Sequence, residues 1–548
     1  MSTVLTSSSV HDPLPARAAV RWDLRYCLRA ALLWLLFCGV VGGGVALRRW
    51  TWNHTQDVRF HFDINNGFRW GLSVNKDEQF DVTQPPTWSD FFAGYRKIYA
   101  REEEKPTHYP QLDYSPFRLL IMGLWVKSVL AIDPLASGWI DRDANPLMWF
   151  NTICAFTAAV GVYFLVRLWL KRWAKRSPLD PPRHIETRAV AAALCMWFNP
   201  AILIDAHIWP QWDVWCVPFY VWAMYAGSVG TWFIAGALIA LGAMLKGQIL
   251  IAAPVILIWA AFCCGWNGWK SIWLAALGAL TTGVIIGSIW LIPDAHAWAW
   301  VGLSMLIIIA IGLVAVRWLR YRWVYFVSAV ICAGMIFGCW RFGGSTDWLA
   351  CSFTNSTENQ IQMSPGGINL PALLQARWGW EMDDIAFSLP THFLHLNEGV
   401  SIRWTLRGIY IALLIGCGIA AAVQSYRKSP RVIIALVAPW VIMYAILPQM
   451  RERYLLWGAS LTAVGVGIDL ELTILFLLTM AMGSMSILCR LEKGKPLETL
   501  LDGLVPDMGW VTVMLALAYF YQAWKKDKVI EPPKNKAHGL PSVGMSND

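Results

Sequence analysis

The sequence predicts an all-α polytopic membrane protein with about 14 transmembrane helices and a long first outer loop that carries interfacial helices. Three observations lead to this prediction. Of the 548 residues, 57% are hydrophobic and only 15% are charged, which is too apolar for a soluble chain. Runs of about 16–23 apolar residues recur from end to end, and such runs are long enough to span a bilayer. Lys and Arg are concentrated in the short loops between them, as the positive-inside rule requires.

The composition argues against other classes. The net charge of +9 is spread over those loops and forms no single basic patch, so we expect membrane lipids as partners and no nucleic acid. The alternating polarity of a transmembrane β-barrel is absent from the sequence. No Cys or His spacing is typical of a zinc site, so no metal ligand is assigned.

The apolar runs divide the chain into three parts. We predict a cytoplasmic N-terminus at 1–26, a transmembrane domain at 27–524 and a disordered cytoplasmic tail at 525–548. Segment 27–48 is too long for the apolar region of a signal peptide, so it is interpreted as the first permanent span. Within the transmembrane domain, the first outer loop covers about 49–146 and the second about 340–400.

Segment 117–132 is apolar but short, and it contains Arg118 and Lys127. If it crossed the membrane, the strongly basic loop 167–188 would lie outside. If it is an interfacial or re-entrant helix instead, every later basic loop falls on the cytoplasmic side; these loops are 167–188, 317–323, 425–431 and 524–528. We therefore predict that 117–132 does not cross.

Charged residues flank the apolar runs at one predicted face. LPQMRERYLLW (447–457) places Arg451, Glu452 and Arg453 at the outer end of a span, where a charge is costly unless it has a purpose. AHIWPQWDVW (206–215) and MLKGQIL (244–250) fall on the same face. Polar groups at a membrane edge can simply extend to water. Their convergence on one leaflet favours a substrate cavity.

Four motifs occur in a fixed order between about residues 60 and 456, and together they resemble a known group. They are FHFDINNGFRW (60–70) with HYPQLDYSPFRLL (108–120), NPAILIDAHIWPQWDVW (199–215), AMLKGQILIAAPVIL (243–257) and PQMRERYLL (448–456). They are similar to motifs of the C-type (GT-C) integral-membrane glycosyltransferases. The resemblance is to the bacterial polyprenyl-phosphate-sugar mannosyl- and glucosyltransferases and to the asparagine-linked-glycosylation glucosyltransferases. Ser115 stands where the group usually has Pro, and Arg451 where it has His.

The resemblance implies the GT-C fold and an inverting glycosyltransferase. Such an enzyme moves a hexose, expected to be mannose or glucose, from a polyprenyl-phosphate donor to an acceptor hydroxyl at the outer or lumenal face. An acidic residue of the first outer loop acts as general base. The acceptor, whether glycan, lipid or protein, is left open. No cofactor is required, and dependence on a divalent metal is left open. The bacterial plasma (inner) membrane, with the active site facing outside, is the expected location, and the endoplasmic reticulum membrane is the alternative.

Two carboxylates and three cations are the candidate catalytic groups. Asp63 is the first candidate for the base and Asp113 the second; INNG could instead make Asp63 part of a turn, and Asp113 could cap the 117–132 helix. We predict that Arg451, Arg453 and Lys246 bind the donor phosphate, because a guanidinium can chelate two phosphate oxygens. The alternative for the arginines is snorkelling with a local ion pair to Glu452.

The substrate cavity is predicted to be lined by Trp70, Tyr114, Asp205, His207, Gln211, Asp213 and Gln248. Two other functions remain open. One is a secondary transporter or lipid-linked glycan flippase, which would show internal repeats and sites at the bilayer midplane. The other is a lipid-linked oligosaccharide ligase or polymerase, which the second outer loop would suit.

Overall fold

The computed structural model describes most of the chain. It covers 24–55, 61–75, 87–97, 115–138, 141–178, 181–263, 268–292, 294–316, 322–344, 367–387, 399–491 and 496–527, with isolated positions between 319 and 352. Within these residues, eight helices are long and apolar enough to cross a membrane. The prediction of an all-α polytopic membrane protein is confirmed as a fold class by these helices.

The first half of the chain contains helices α1 to α12. Their bounds are α1 Leu24–His54, α2 His61–Asn75, α3 Trp88–Lys97, α4 Pro116–Leu130, α5 Asn145–Arg176, α6 Ile185–Trp197, α7 Pro200–Leu203, α8 Cys216–Ser228, α9 Trp232–Ala243, α10 Ile249–Ala252, α11 Pro254–Cys263 and α12 Gly268–Leu291. The residues up to Trp50 form a compact unit of their own, and the rest of the chain forms a second. In α1, the apolar side chains of Leu32, Trp34 and Leu35 are exposed, as expected for a helix that faces lipid.

The second half adds helices α13 to α20 and one small sheet. The helix bounds are α13 Ala295–Ala315, α14 Trp323–Phe342, α15 Leu370–Trp378, α16 Ile402–Tyr426, α17 Arg431–Ile446, α18 Leu455–Leu461, α19 Leu470–Leu491 and α20 Pro496–Trp524. Strands β1 (Ile385–Phe387) and β2 (Val400–Ser401) pair antiparallel just before α16. The deepest core is α17, in which every residue is buried.

Arginines and lysines meet at one end of the helix bundle, called here the basic end. The Arg172 guanidinium donates to the Ser228 carbonyl oxygen at 2.7 Å, and Arg188 donates to the Ile468 carbonyl oxygen. Buried Arg431 pairs with Asp469 at 2.5 Å and Asp527 at 2.7 Å. Loops that are far apart in sequence, at 167–188, 425–431, 468–471 and 524–527, therefore share this end.

The other end of the bundle, called here the Asp213 end, is held by a different set of polar contacts. The Asn151 amide, near the start of α5, donates to the Ala206 and Gln211 carbonyl oxygens at 2.9 Å each. Since α5 finishes with Lys175 and Arg176, its two ends mark the two ends of the bundle. The residues between α7 and α8 therefore lie opposite the basic loops.

Helix α4 both begins and ends at the Asp213 end. Ser115 takes an extended conformation (φ −72°, ψ 159°) and Pro116 opens the helix, where a missing N–H costs nothing. At its start, the Arg118 N–H donates to the Met244 carbonyl oxygen at 3.1 Å. Near its end, the Trp125 indole donates to the Asp143 carbonyl oxygen at 2.7 Å, close to the start of α5. The contacts therefore place α4 along this end of the bundle.

The start of the C-terminal tail is bound to the bundle. Besides the Arg431–Asp527 pair, the Gln424 amide donates to the Ala523 and Lys525 carbonyl oxygens at 2.8 and 3.0 Å. For residues 525–527 this differs from the predicted disorder, and the contacts with α16 and α17 are the reason. The remainder of the predicted tail lies outside the described residues.

Candidate active site

The connection between α7 and α8 supplies most of the polar residues of the site. Asn199 caps α7 by accepting a hydrogen bond from the Ala201 N–H at 2.9 Å, and its amide donates to the Ala459 carbonyl oxygen. The chain then widens into one π-helical turn, Ile204–Ile208. Such turns add a residue to a helix and occur often at functional sites. The turn brings Asp205 and His207 into the protein interior, where both are buried.

Asp63 stands in the first turn of α2 and is only partly exposed. Its Oδ2 atom accepts hydrogen bonds from the Trp209 indole N–H at 2.8 Å and from the Gln211 amide. Its Oδ1 atom accepts none from any described residue. Asp63 therefore belongs to a helix and not to the turn that INNG suggested. One carboxylate oxygen is fixed by the 204–215 connection, and the other is available.

Asp213 joins the two predicted phosphate ligands that lie in this site. Its Oδ1 accepts from the Lys246 ammonium group, and its Oδ2 lies 3.0 Å from the Arg453 Nε. All three side chains are almost fully buried. The alternative partner, Glu452, is not the residue that pairs with Arg453. The ion pair crosses between loops and is not local to RERY.

Burial and charge compete at this ion triad, which lies in loops and turns outside the spans. Burial by itself would raise the pKa of Asp213, but the Lys246 and Arg453 charges outweigh it and hold that pKa below its ordinary value. Burial would likewise lower the pKa of Arg453, but the Asp213 charge outweighs it and raises that pKa. These interactions favour the charged forms of Asp213 and Arg453. One carboxylate beside two basic side chains gives the triad a formal net positive charge.

The Trp209 indole lies between the candidate base and the candidate phosphate ligand. Its N–H bonds Asp63, and the Arg453 guanidinium carbon lies 5.3 Å from its ring centroid. Such a cation–π contact is favourable, the more so when it is desolvated. Asp63 and Arg453 thus share a single site at the Asp213 end. Tyr454 and Trp457 form another wall, with their rings stacked 4.9 Å apart beside Lys246.

The other predicted residues have more varied positions. Asp205 is fully buried among the charges of the site, and its carboxylate makes no hydrogen bond to any described residue. Trp70 is buried with its ring 6.2 Å from that of Trp212, so it packs inside the protein.

Gln248 is half-buried and makes no side-chain hydrogen bond within the described ranges. Arg451 is half-buried just before the 3₁₀ turn that carries Arg453. Asp113 and Tyr114 lie outside the described residues.

Several residues lie in the site in positions or roles that the sequence does not predict. The sequence predicts Arg118 only as part of an interfacial helix, yet it is fully buried with its guanidinium 4.3 Å from the Trp212 ring centroid. A charge in an apolar run was the available signal. Trp209 lies in the AHIWPQWDVW motif, where the sequence leaves open whether it stacks on a sugar or belongs to an aromatic belt. Trp457 has no distinguishing signal among the 35 tryptophans of the chain. Among the described residues, no three His, Cys, Asp or Glu side chains are grouped so as to hold a metal ion.

Comparison with known proteins does not identify a family for this chain. No protein-family model matches the chain, and no curated protein shows significant similarity to it. Function is therefore inferred from the residues of the site and their geometry.

Proposed function

We propose that this protein is an integral-membrane inverting glycosyltransferase. It transfers a hexose from a polyprenyl-phosphate donor to an acceptor hydroxyl. The observation that carries the proposal is the contact of one indole, that of Trp209, with both the Asp63 carboxylate and the Arg453 guanidinium. In this reaction, a proton acceptor must contact the acceptor hydroxyl while a cation contacts the leaving phosphate of the donor. The two protein groups must therefore lie close to each other in one site. The order of the four GT-C-like motifs supports the same proposal.

Asp63 is the proposed general base. Its free Oδ1 accepts the proton of the acceptor hydroxyl while that oxygen attacks the anomeric carbon from the face opposite the phosphate. A positioned base contributes about 10²–10⁴-fold to such a step. Because Oδ2 is already held by Trp209 and Gln211, little ordering of the carboxylate remains to be done when substrate binds.

Arg453 is the proposed ligand of the donor phosphate, with Lys246 beside it. Arg453 uses its Nε for Asp213, and its two Nη atoms make no hydrogen bond to any described residue. Those two atoms form the fork that chelates phosphate oxygens. The bond from the anomeric carbon to the phosphate oxygen breaks, its electrons remain on that oxygen, and the phosphodiester becomes a phosphomonoester. The net positive charge of the triad stabilises the added negative charge.

The proposed orientation places the Asp213 end outside the cytoplasm, because basic loops favour the cytoplasmic side. About 14 crossings then alternate along the chain: the eight long apolar helices together with six further segments. The six segments are α8, α9, α10–α11, α17, α18 with the following 3₁₀ turn, and α20. Helix α4 remains along the Asp213 end as an interfacial helix of the first outer loop. A bacterial plasma membrane, with the site facing outside, is the proposed location.

The proposal is tested with purified protein in proteoliposomes supplied with polyprenyl-phosphate-linked [³H]mannose or [³H]glucose and candidate acceptors. Wild type transfers label to an acceptor, and Asp63→Asn lowers the rate by about 10²–10⁴-fold. Arg453→Lys keeps a cation beside Asp213 but removes the fork, so it weakens donor binding. Asp383→Asn, which alters an exposed carboxylate, leaves the rate unchanged.

A second measurement does not depend on knowing the acceptor. Undecaprenyl phosphate, the lipid product, raises the melting temperature of wild type, since a ligand that binds the folded state stabilises it. The shift is smaller for Arg453→Lys and is retained in Asp63→Asn. Movement of free sugar or intact lipid-linked glycan without a new glycosidic bond would instead support the transporter or flippase. Processive products would support the ligase or polymerase.

A further inference from the structure

We infer that Trp209 is a positioning residue that sets the distance between the proton acceptor and the phosphate ligand. The inference rests on the proposed function and deepens it. Trp209 touches the base with its ring N–H and the cation with its ring face, at 2.8 Å from Asp63 Oδ2 and 5.3 Å from the Arg453 guanidinium carbon. A rigid bicyclic ring fixes both contacts with only two rotatable bonds.

The ring itself is held by the fold. Trp209 is 1% exposed and packs with Ile204, Ile487 and Leu491 in one cluster of buried apolar residues. Its backbone N–H donates to the Ile204 carbonyl oxygen at 2.8 Å, which closes the π-helical turn. Since Ile487 and Leu491 belong to α19, the turn and the end of that helix together prevent the ring from rotating.

The same helix also positions the cation. The Ser486 hydroxyl in α19 donates a hydrogen bond to the carbonyl oxygen of Glu452 at 2.7 Å. Glu452 is the residue immediately before Arg453. One helix thus supports both Trp209 and the 3₁₀ turn that carries Arg453. The Trp209 indole thus lies between the Asp63 carboxylate and the Arg453 guanidinium, and α19 contacts both the indole and the turn that carries the guanidinium. A group transfer is sensitive to such spacing, since a displacement of about 1 Å can cost about 10²-fold in rate.

The two functions of the ring are separated by two substitutions. Trp209→Phe keeps an aromatic face under Arg453 and removes the N–H, so kcat falls about 10- to 100-fold while the KM for the polyprenyl-phosphate [³H]hexose stays within about twofold of wild type. Trp209→Leu removes both contacts, so kcat falls and the donor KM rises as well. Trp259→Phe is the matched control. That ring is equally buried and donates to the Ser425 hydroxyl at the basic end, so its loss leaves kcat and KM unchanged.

A double substitution separates positioning from general damage. If Trp209 acts through Asp63, then Trp209→Phe causes no further loss of rate in the Asp63→Asn background. A further loss of 10-fold or more there would show a structural role and overturn the inference. Where the Asp63→Asn rate is too low to measure, the kcat and KM of Trp209→Phe decide.

The outcomes also distinguish this inference from the proposed function. Transfer by wild type with an unchanged kcat in Trp209→Phe overturns the inference alone. Absence of transfer by wild type with every donor overturns both. Melting temperatures of all variants, measured in the same detergent, identify any variant that has lost its fold, and the Phe variant is then replaced by Gln211→Leu. Gln211 donates to the same Asp63 oxygen, so the same kcat loss at unchanged donor KM is expected, and an unchanged kcat overturns the inference.

Discussion

Asp213 and Arg453 form a buried ion pair, with Asp213 Oδ2 3.0 Å from Arg453 Nε. Lys246 shares the same carboxylate. Replacing Asp213 with Asn leaves two buried cations without their counter-ion. Removing one partner of a buried pair typically costs about 3–5 kcal/mol, so we expect Asp213→Asn to lower the melting temperature strongly. Thermal unfolding in detergent measures this change.

Asp205 supplies the matched control for that prediction. It is as deeply buried as Asp213, but its carboxylate makes no hydrogen bond to any described residue. Asp205→Asn therefore leaves no hydrogen-bonded partner unsatisfied, and its melting temperature should lie close to that of wild type. Equal losses of stability in the two variants would show that burial, and not the ion triad, determines the effect.

Close packing of α2 on α4 is expected to position Asp63. A Cβ atom added at Gly71 would overlap the Met122 backbone, and nearby the Asn75 amide donates to the Gly123 carbonyl oxygen at 2.8 Å. Gly71→Ala should therefore push the helices apart, costing about 1–3 kcal/mol in stability. It should also lower the transfer rate, because Asp63 moves with α2. Unfolding curves and initial rates of transfer measure the two effects.

Gly302 is the control for this prediction, because it shows the effect of replacing a helical glycine that is not closely packed. It lies inside α13 with open space around the position of a Cβ atom. Gly302→Ala should raise stability by about 0.5–1 kcal/mol, because alanine loses less conformational freedom on folding. A Gly71→Ala variant that is as stable and active as Gly302→Ala would argue against a role for the α2–α4 contact in holding Asp63.

The proposed orientation predicts which surface positions an impermeant maleimide reaches in intact cells. Leu135→Cys, 72% exposed between α4 and α5, should be labelled from outside. Tyr426→Cys, 92% exposed at the basic end, should be labelled only after the membrane is opened. Both are made with the exposed Cys38 and Cys263 replaced by Ser. The reverse pattern would place the site in the cytoplasm and contradict the proposed orientation.

Arg431 is expected to stabilise the fold without taking part in transfer. It is buried and pairs with Asp469 and Asp527, and its guanidinium also donates to the Gln522 amide oxygen at 2.5 Å. Arg431→Gln should cost about 3–5 kcal/mol and release the 525–527 segment. Thermal unfolding measures the first effect, and proteolysis near the C-terminus the second.

Arg377 is the comparison for Arg431. It pairs with Asp507, but both side chains are about half exposed (54% and 55%). An exposed pair contributes about 1 kcal/mol or less, so Arg377→Gln should leave the melting temperature almost unchanged. A large loss of stability in Arg377→Gln would mean that burial does not explain the difference between the two arginines.

The amino-acid sequence is enough to predict a helical membrane protein, and it indicates Asp63, Asp213, Lys246 and Arg453 as candidate site residues. Both predictions use local information. The hydropathy of a segment depends only on neighbouring residues, and a charged residue beside an apolar run can be recognised directly in the sequence. The interaction partners of these residues, in contrast, follow from how the helices pack. Arg453 pairs with Asp213 and not with adjacent Glu452, and Trp209 reaches Asp63 across 146 positions. Those choices depend on which groups lie within a few ångströms after the helices pack, and no local pattern records that distance.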